Sequence, residues 1–284
     1  MMSNSFPSDR VHNLLAGSRY EVMPTARIHE DVLAHVPREV PVTVTAAQNK
    51  GLEATLDLST RLAADGYQVV PHLAARMITG RAELEEIVQR LGEAGVTQVF
   101  VPAGDATPPA GSYAAALDLL RDLHDVDHPF THIGITGYPE SHPSIDDDIT
   151  IQAMWDKRQY STHVVSNMTF DAEKLGTWVE RIRRRGVTLP VLVGVPGPVE
   201  RAKLLRMASM IGVGESMRFL KKQRSVFTRI AAPGFSPDRF VSRVAALSAD
   251  DALAISGLHI FTFNQVQVVE QWRQRLLHSS AAHR

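Results

Sequence analysis

Short apolar runs alternate along the chain with longer amphipathic stretches, and the unit recurs eight times. The runs are RYEVM, PVTVTA, YQVVPH, QVFVPAGD, HIGITGYPE, HVVSNMTF, VLVGVP and HIFTFN, and they read as strands. The stretches between them carry apolar residues three and four positions apart, the spacing of one buried helix face. RIHEDVLAHV, LEATLDLSTRLAADG, AELEEIVQRLGEAG, SYAAALDLLRDLH, DDITIQAMWDKRQYS, DAEKLGTWVERIRRRG and VERAKLLRMASMIG fill those places, and VQVVEQWRQRLL closes the series. Gly66 stands where a helix should stop.

Strands that alternate with helices pair in parallel through right-handed crossovers. An open doubly wound sheet is the competing architecture. Its dinucleotide form carries G-x-G-x-x-G after the first strand, whereas here that strand runs into Pro24-Thr25. The pattern therefore predicts an α/β chain of (β/α)8 TIM-barrel type, with an extra helical segment before the last strand. One domain is expected over residues 1–284, with an N-terminal lead at 1–17, a helical insertion at 214–257 and a frayed tail at 278–284. Gly234 and Pro237 mark a break within the insertion.

Composition narrows the function classes. The 284 residues, 44% of them apolar, suit one barrel, a fold that commonly takes about 250 residues. A formal net charge of −1 lacks the basic footprint of nucleic-acid binding. The dense basic run RIRRRG, at Arg181 to Gly186, suits the C-terminal end of a helix, where cations complement the dipole. The absence of cysteine excludes disulfides, thiolate nucleophiles, iron–sulfur clusters and Cys-ligated zinc. No run approaches the roughly 18 apolar residues of a spanning helix, and MMSNSFPSDR has no signal-peptide core, so a soluble cytoplasmic protein is expected.

The candidate chemistry lies at the strand ends, which a barrel gathers on one face. Glu21 is a lone carboxylate in an apolar strand, where desolvation disfavours its charged form and favours a general acid. A buried ion pair is the structural alternative. Asp105 ends the fourth strand in a glycine-flanked turn beside Gly104, open to close ligand approach. His72 is a strand-end imidazole, either a structural hydrogen-bonding group or a working one. Tyr138, Glu140 and His142 fall within five residues and, with His72 and Asp105, could be drawn as a metal site of a barrel hydrolase or lyase. No H-E-x-x-H pairing supports that drawing, and no metal is expected. Asp146, Asp147 and Asp148 suit the start of a helix. Lys157 and Arg158 could meet a pyrophosphate or stand as solvated helix charges. Phe263, between Thr262 and Asn264, is placed to pack on a flat ligand.

Taken together, these strings resemble the flavin-containing barrel domain of the methylenetetrahydrofolate reductase family, from Arg19 to Leu277. Glu21 in YEVMP resembles the glutamate of F-E-F-x-P, and Thr45 in VTVTAAQN the threonine of V-T-x-G-A-N. VPHL, PAGD and FTFN resemble P-H-L, R-G-D and Y-T-L-N, while GYPESHP, the most specific string, is close to Y-P-E-x-H-P. Asn167 falls where the family has the glutamine of T-Q-x-x-F-D. The resemblance implies a ping-pong reductase: NADH or NADPH reduces bound FAD, and the flavin then reduces methylenetetrahydrofolate. It implies Glu21 as the acid that protonates N10, and Asp105 as a group tuning the flavin and stabilising cationic charge. Asn167 and Phe263 would contact the substrate. Thr45, His72, Gly104, Asp105, Tyr138, His142, Lys157 and Arg158 would hold FAD. No nucleic-acid or membrane partner is implied, and the apolar outer helices are compatible with a homo-oligomer. The chain departs from the pattern at Ala103, where the family has an arginine, and at Asn167, shorter by a methylene. These departures keep flavin-free hydride transfer to the same folate as the alternative. A folate- or nucleotide-binding protein without turnover is a further one.

Overall fold

The computed structural model describes residues 7–48, 50–199 and 236–281. The alternation read from the sequence is present as eight strands: β1 (Arg19–Val22), β2 (Val42–Val44), β3 (Val69–Pro71), β4 (Gln98–Phe100), β5 (His132–Gly137), β6 (His163–Met168), β7 (Val191–Pro196) and β8 (Ile255–Phe261). The described helices are α1 (Pro7–Ala16), α2 (Ile28–His35), α3 (Gly51–Ala64), α4 (Arg81–Glu93), α5 (Ala116–His124), α6 (Asp147–Lys157), α7 (Ala172–Arg184), α8 (Pro237–Leu247) and α9 (Val266–Ala281).

Every strand pair is parallel, and β1 pairs with both β2 and β8. The remaining edges, β3 and β4, meet through a parallel bridge between His72 and Phe100 and through Leu73 N donating to Phe100 O at 2.8 Å. The sheet is therefore a closed barrel wound once in chain order, as expected of (β/α)8 topology. Leu, Ile and Val side chains on the outer strand faces pack under the helices as one continuous core. Val70, Phe100, Val165 and Leu192, from four different strands, form a separate small cluster on the inward strand faces.

Several boundaries differ from the sequence reading, each for a local reason. The N-terminal lead contains α1, whose Leu14 and Leu15 are buried and whose Leu15 carbonyl accepts from Arg273 Nε at 2.9 Å. Helix α5 starts at Ala116, later than the apolar spacing suggested, because Asp118 Oδ2 accepts from Ala114 N and Ala115 N and caps it there. Strand β8 begins at Ile255, pairing with Val191, so residues 255–257 belong to the barrel rather than to the helical segment before it. Helix α9 runs on to Ala281, with Ser280 buried, past the predicted end at Leu277. The helix expected after β7 and the first half of the insertion, including Gly234, lie outside the described residues. Its described part is α8, which opens on Ser236 as N-cap and Pro237.

Candidate active site

Alternation along β1 sends Tyr20 outward, where its hydroxyl donates to Glu270 on α9, and turns Glu21 inward. The neighbouring strand β8 is registered with Arg19 beside His259 and Glu21 beside Phe261. Glu21 Oε2 consequently lies 2.9 Å from His259 Nε2 and 3.7 Å from His72 Nε2. The carboxylate is not alone, as the sequence suggested, but sits between two imidazoles. His259 is 2% exposed and Glu21 16%, so the pair lies just below the surface of the strand-end face. His72 also packs its ring at 4.7 Å from Phe100.

Below this pair the barrel interior is unusually polar for a fold whose lumen is ordinarily filled with branched apolar residues. Arg19 Nη1, Thr43 Oγ1, His163 Nε2 and His259 Nδ1 are buried and have no hydrogen-bond partner among the described residues. Gly134 makes room for His163: a Cβ there would lie 2.8 Å from Nε2. Burial pulls the Arg19 guanidinium down to about 10, still charged at neutral pH. It lowers His72 to about 4, opposed by Glu21, and His163 to about 3, with Arg19 adding to the effect. Both imidazoles are neutral near pH 7.

Around this centre the strand-end loops bring together most of the residues singled out in the sequence. The Thr45 hydroxyl, at the end of β2, is buried without a hydrogen-bond partner among the described residues, while its carbonyl accepts from Thr55 Oγ1 at 2.9 Å. Gly104 has φ +84, and a Cβ there would meet Ala74 at 3.1 Å, so the turn carrying exposed Asp105 needs glycine. Arg76, which the sequence reading passed over, braces that loop by donating to Ala106 O at 2.7 Å and Ala114 O at 3.1 Å. Tyr138 follows β5 and meets the His142 ring edge-on at 4.9 Å. Burial raises the Tyr138 phenol, with a smaller rise from Asp105. Asn167 is exposed at the end of β6, its Oδ1 accepting from Met168 N at 2.8 Å.

The end of β8 is tied to the end of β1. Phe263 and Asn264 have φ of +51 and +57, a conformation disfavoured for residues other than glycine. Asn264 compensates by acting as a backbone mimic: Oδ1 accepts from Met23 N at 2.8 Å, and Nδ2 donates to Met23 O at 3.0 Å and Thr25 Oγ1 at 3.1 Å. Asn264→Ala loses this latch and keeps the strained φ. It is expected to cost roughly 2–4 kcal/mol in chemical denaturation. Asn264→Gly, relieved of the strain, should lose about 1 kcal/mol less.

Not every sequence candidate is gathered here. Glu140 Oε1 accepts from Phe170 N at 2.6 Å and Asp171 N at 2.9 Å, holding the start of α7, so it does not join His72, Asp105 and His142 as a metal site. Among the described residues no three His, Asp or Glu side chains form a group that could hold a metal ion. Asp146 caps α6, as the acidic run implied, through Asp148 N at 2.8 Å.

A family model for methylenetetrahydrofolate reductase matches residues 21–276. The chain belongs to the methylenetetrahydrofolate reductase family. It is similar to methylenetetrahydrofolate reductase 2 of Saccharomyces cerevisiae, 21% identical over 187 residues, covering 62% of this chain and 31% of that protein. Its match to methylenetetrahydrofolate reductase 1 of Schizosaccharomyces pombe is 25% identical over 146 residues, 48% of this chain and 24% of that one. The matches span less than a third of either relative's length. Among solved structures, oxaloacetate acetylhydrolase in complex with oxalate is similar at a TM-score of 0.54 and 10% identity, covering 96% of this chain and 86% of that one. At that identity the likeness is one of fold alone.

Family membership implies FAD, and the side chains test it. Lys157 and Arg158 end α6, where the chain turns to enter β6, at the rim opposite Glu21. Ser161 Oγ donates there to Lys157 O, and Thr162 N to Ile133 O at the start of β5. Arg158 lies over the Trp155 ring at 3.6 Å and donates to its carbonyl. Lys157 is 7% exposed, and burial, opposed by Asp156, lowers it to about 8. Neither reaches the strand-end face. The cations its first loops do carry, Arg27 and Lys50, are exposed. Lys157 and Arg158 therefore stand apart from the other residues that the family resemblance assigns to FAD.

Proposed function

We propose that this protein reduces the methylene group of 5,10-methylenetetrahydrofolate to a methyl group, with NADH or NADPH as the source of hydride. The observation that carries the reading is the Glu21 carboxyl, held between His259 and His72 at the floor of the strand-end face. Protonated Glu21 gives its proton to N10, the five-membered ring opens, and an electrophilic iminium forms at the methylene carbon. The exposed Asp105 carboxylate at the rim favours that developing positive charge. Asn167 keeps Nδ2 as a donor for the pterin, and Phe263 offers a flat apolar surface.

The separation of Lys157 and Arg158 from this face, together with Ala103, favours direct hydride transfer from the dihydronicotinamide, whose whole reaction needs both ligands on one face at once. Transfer through FAD is the second reading, supported by the family itself. Steady-state kinetics with both substrates varied, alongside the absorption spectrum of the purified protein, separates them. Direct transfer predicts a colourless protein and intersecting double-reciprocal lines. A yellow protein with parallel lines would establish the flavin route. A protein that leaves the folate unreduced under either regime would end the proposal.

A further inference from the structure

The two oxygens of Glu21 are not equivalent. Oε2 takes both imidazole contacts, from His259 at 2.9 Å and His72 at 3.7 Å. Oε1 has no hydrogen bond among the described residues, and the side chain is 16% exposed. A carboxylic acid carries its proton on one oxygen at a time, so what binds Oε2 decides which oxygen faces the ligand with a proton.

His259 is built to make that decision. Its ring is 2% exposed and is held edge-on at 5.0 Å to Phe261. Its strand is registered so that Arg19 and Glu21 of β1 flank it. Nδ1 has no hydrogen-bond partner among the described residues, which leaves Glu21 as the acceptor in reach of the ring. With Nδ1 unpartnered, the ring carries a proton on Nε2 and donates it to Oε2 at 2.9 Å. Oε2 is then an acceptor, and the acidic proton is left to Oε1.

We infer that His259 is a positioning residue: by donating to Glu21 Oε2 it makes Oε1 the oxygen that delivers the proton to substrate. The inference rests on the proposed reduction, in which the Oε1–H bond breaks as the N10–H bond forms. His259 acts through Glu21 and does not touch the folate. His72, farther away and lowered by burial, guards the same oxygen without a hydrogen bond of its own.

The test compares His259→Leu with His259→Gln, because a glutamine amide can donate to Oε2 whereas leucine cannot. His259→Leu should lower kcat about 10²-fold, the loss typical of a misplaced catalytic group, with KM for the folate within about threefold. His259→Gln should recover kcat to within roughly tenfold of the parent. A merely structural role would move both variants alike and raise KM. The hydrogen bond has its own readout, an imidazole Nε2–H resonance in the wild-type protein that disappears in Glu21→Leu. Equal kcat losses in the two variants, no loss in His259→Leu, or absence of that resonance would overturn the inference. Failure of the functional reading is seen separately, in wild-type protein that does not reduce the folate.

Discussion

Glu21→Gln is expected to lower the turnover of methylenetetrahydrofolate by roughly 10²–10⁴-fold while leaving its binding within a few-fold of wild type. Glutamine keeps the length and shape of the side chain. Its Oε1 can accept from His259 Nε2 as Glu21 Oε2 does at 2.9 Å, so the barrel floor stays packed. What it removes is the proton, and with it the step that opens the folate ring. Stopped-flow or steady-state rates with NAD(P)H, set beside equilibrium binding of the folate, make the comparison. A variant that retains rapid turnover would show that the acid is another group. A variant that loses binding in proportion to rate would show that Glu21 serves as a contact rather than as an acid.

Arg273→Met is expected to destabilise the protein by about 3–5 kcal/mol, the cost of leaving a buried carboxylate without its cation. Glu270, on α9, is 8% exposed and accepts from the Tyr20 hydroxyl, from Arg273 Nη1 at 3.1 Å and from Gln274 Nε2 at 2.7 Å. Arg273, 3% exposed, also donates through Nε to Leu15 O at 2.9 Å. Burial and the Glu270 charge push the Tyr20 phenol well above its ordinary value, so it stays a neutral donor. The network fastens α1 and α9 to the outer face of β1. Its loss should lower the melting temperature by roughly 10 °C. Replacing both charged residues, Glu270→Leu with Arg273→Met, should cost less than Arg273→Met alone, because no uncompensated charge remains. A double variant as unstable as the sum of the singles would show that the two residues act independently. Tyr20 adjoins Glu21 on the same strand, so the outer network and the inner site share one strand as their support.

The period of the pattern was enough to place the strands and most helices. Strand ends carry polar residues because only there does the sheet meet solvent and ligand, so Glu21, Thr45, His72, Asp105 and Tyr138 could be singled out from position alone. Their gathering on one face follows from parallel winding, which the alternation of strands and helices already implies.

His259 illustrates what that reading could not reach. It opens the run HIFTFN, two residues from Phe261, on the inward-facing alternation. Nothing local connects it to Glu21, 238 residues away. Only closure of the ring makes β8 the neighbour of β1, and only their register sets the imidazole against the carboxylate. Lys157 and Arg158 show the converse. Grouped with the strand-end candidates by the sequence pattern, they are carried to the opposite rim by the length of α6, and each then finds a local environment, burial for one and the Trp155 ring for the other. Glu140 likewise turns from a drawn metal site to two backbone amides at the start of α7, because the helix leaves those donors unpaired. The sequence by itself determined the periodicity, and therefore the barrel class, the face that bears chemistry and the residues at its strand ends. The tertiary structure alone decided which of those residues meet, because register and ring closure are set by contacts between segments far apart in the chain, which no local spacing encodes.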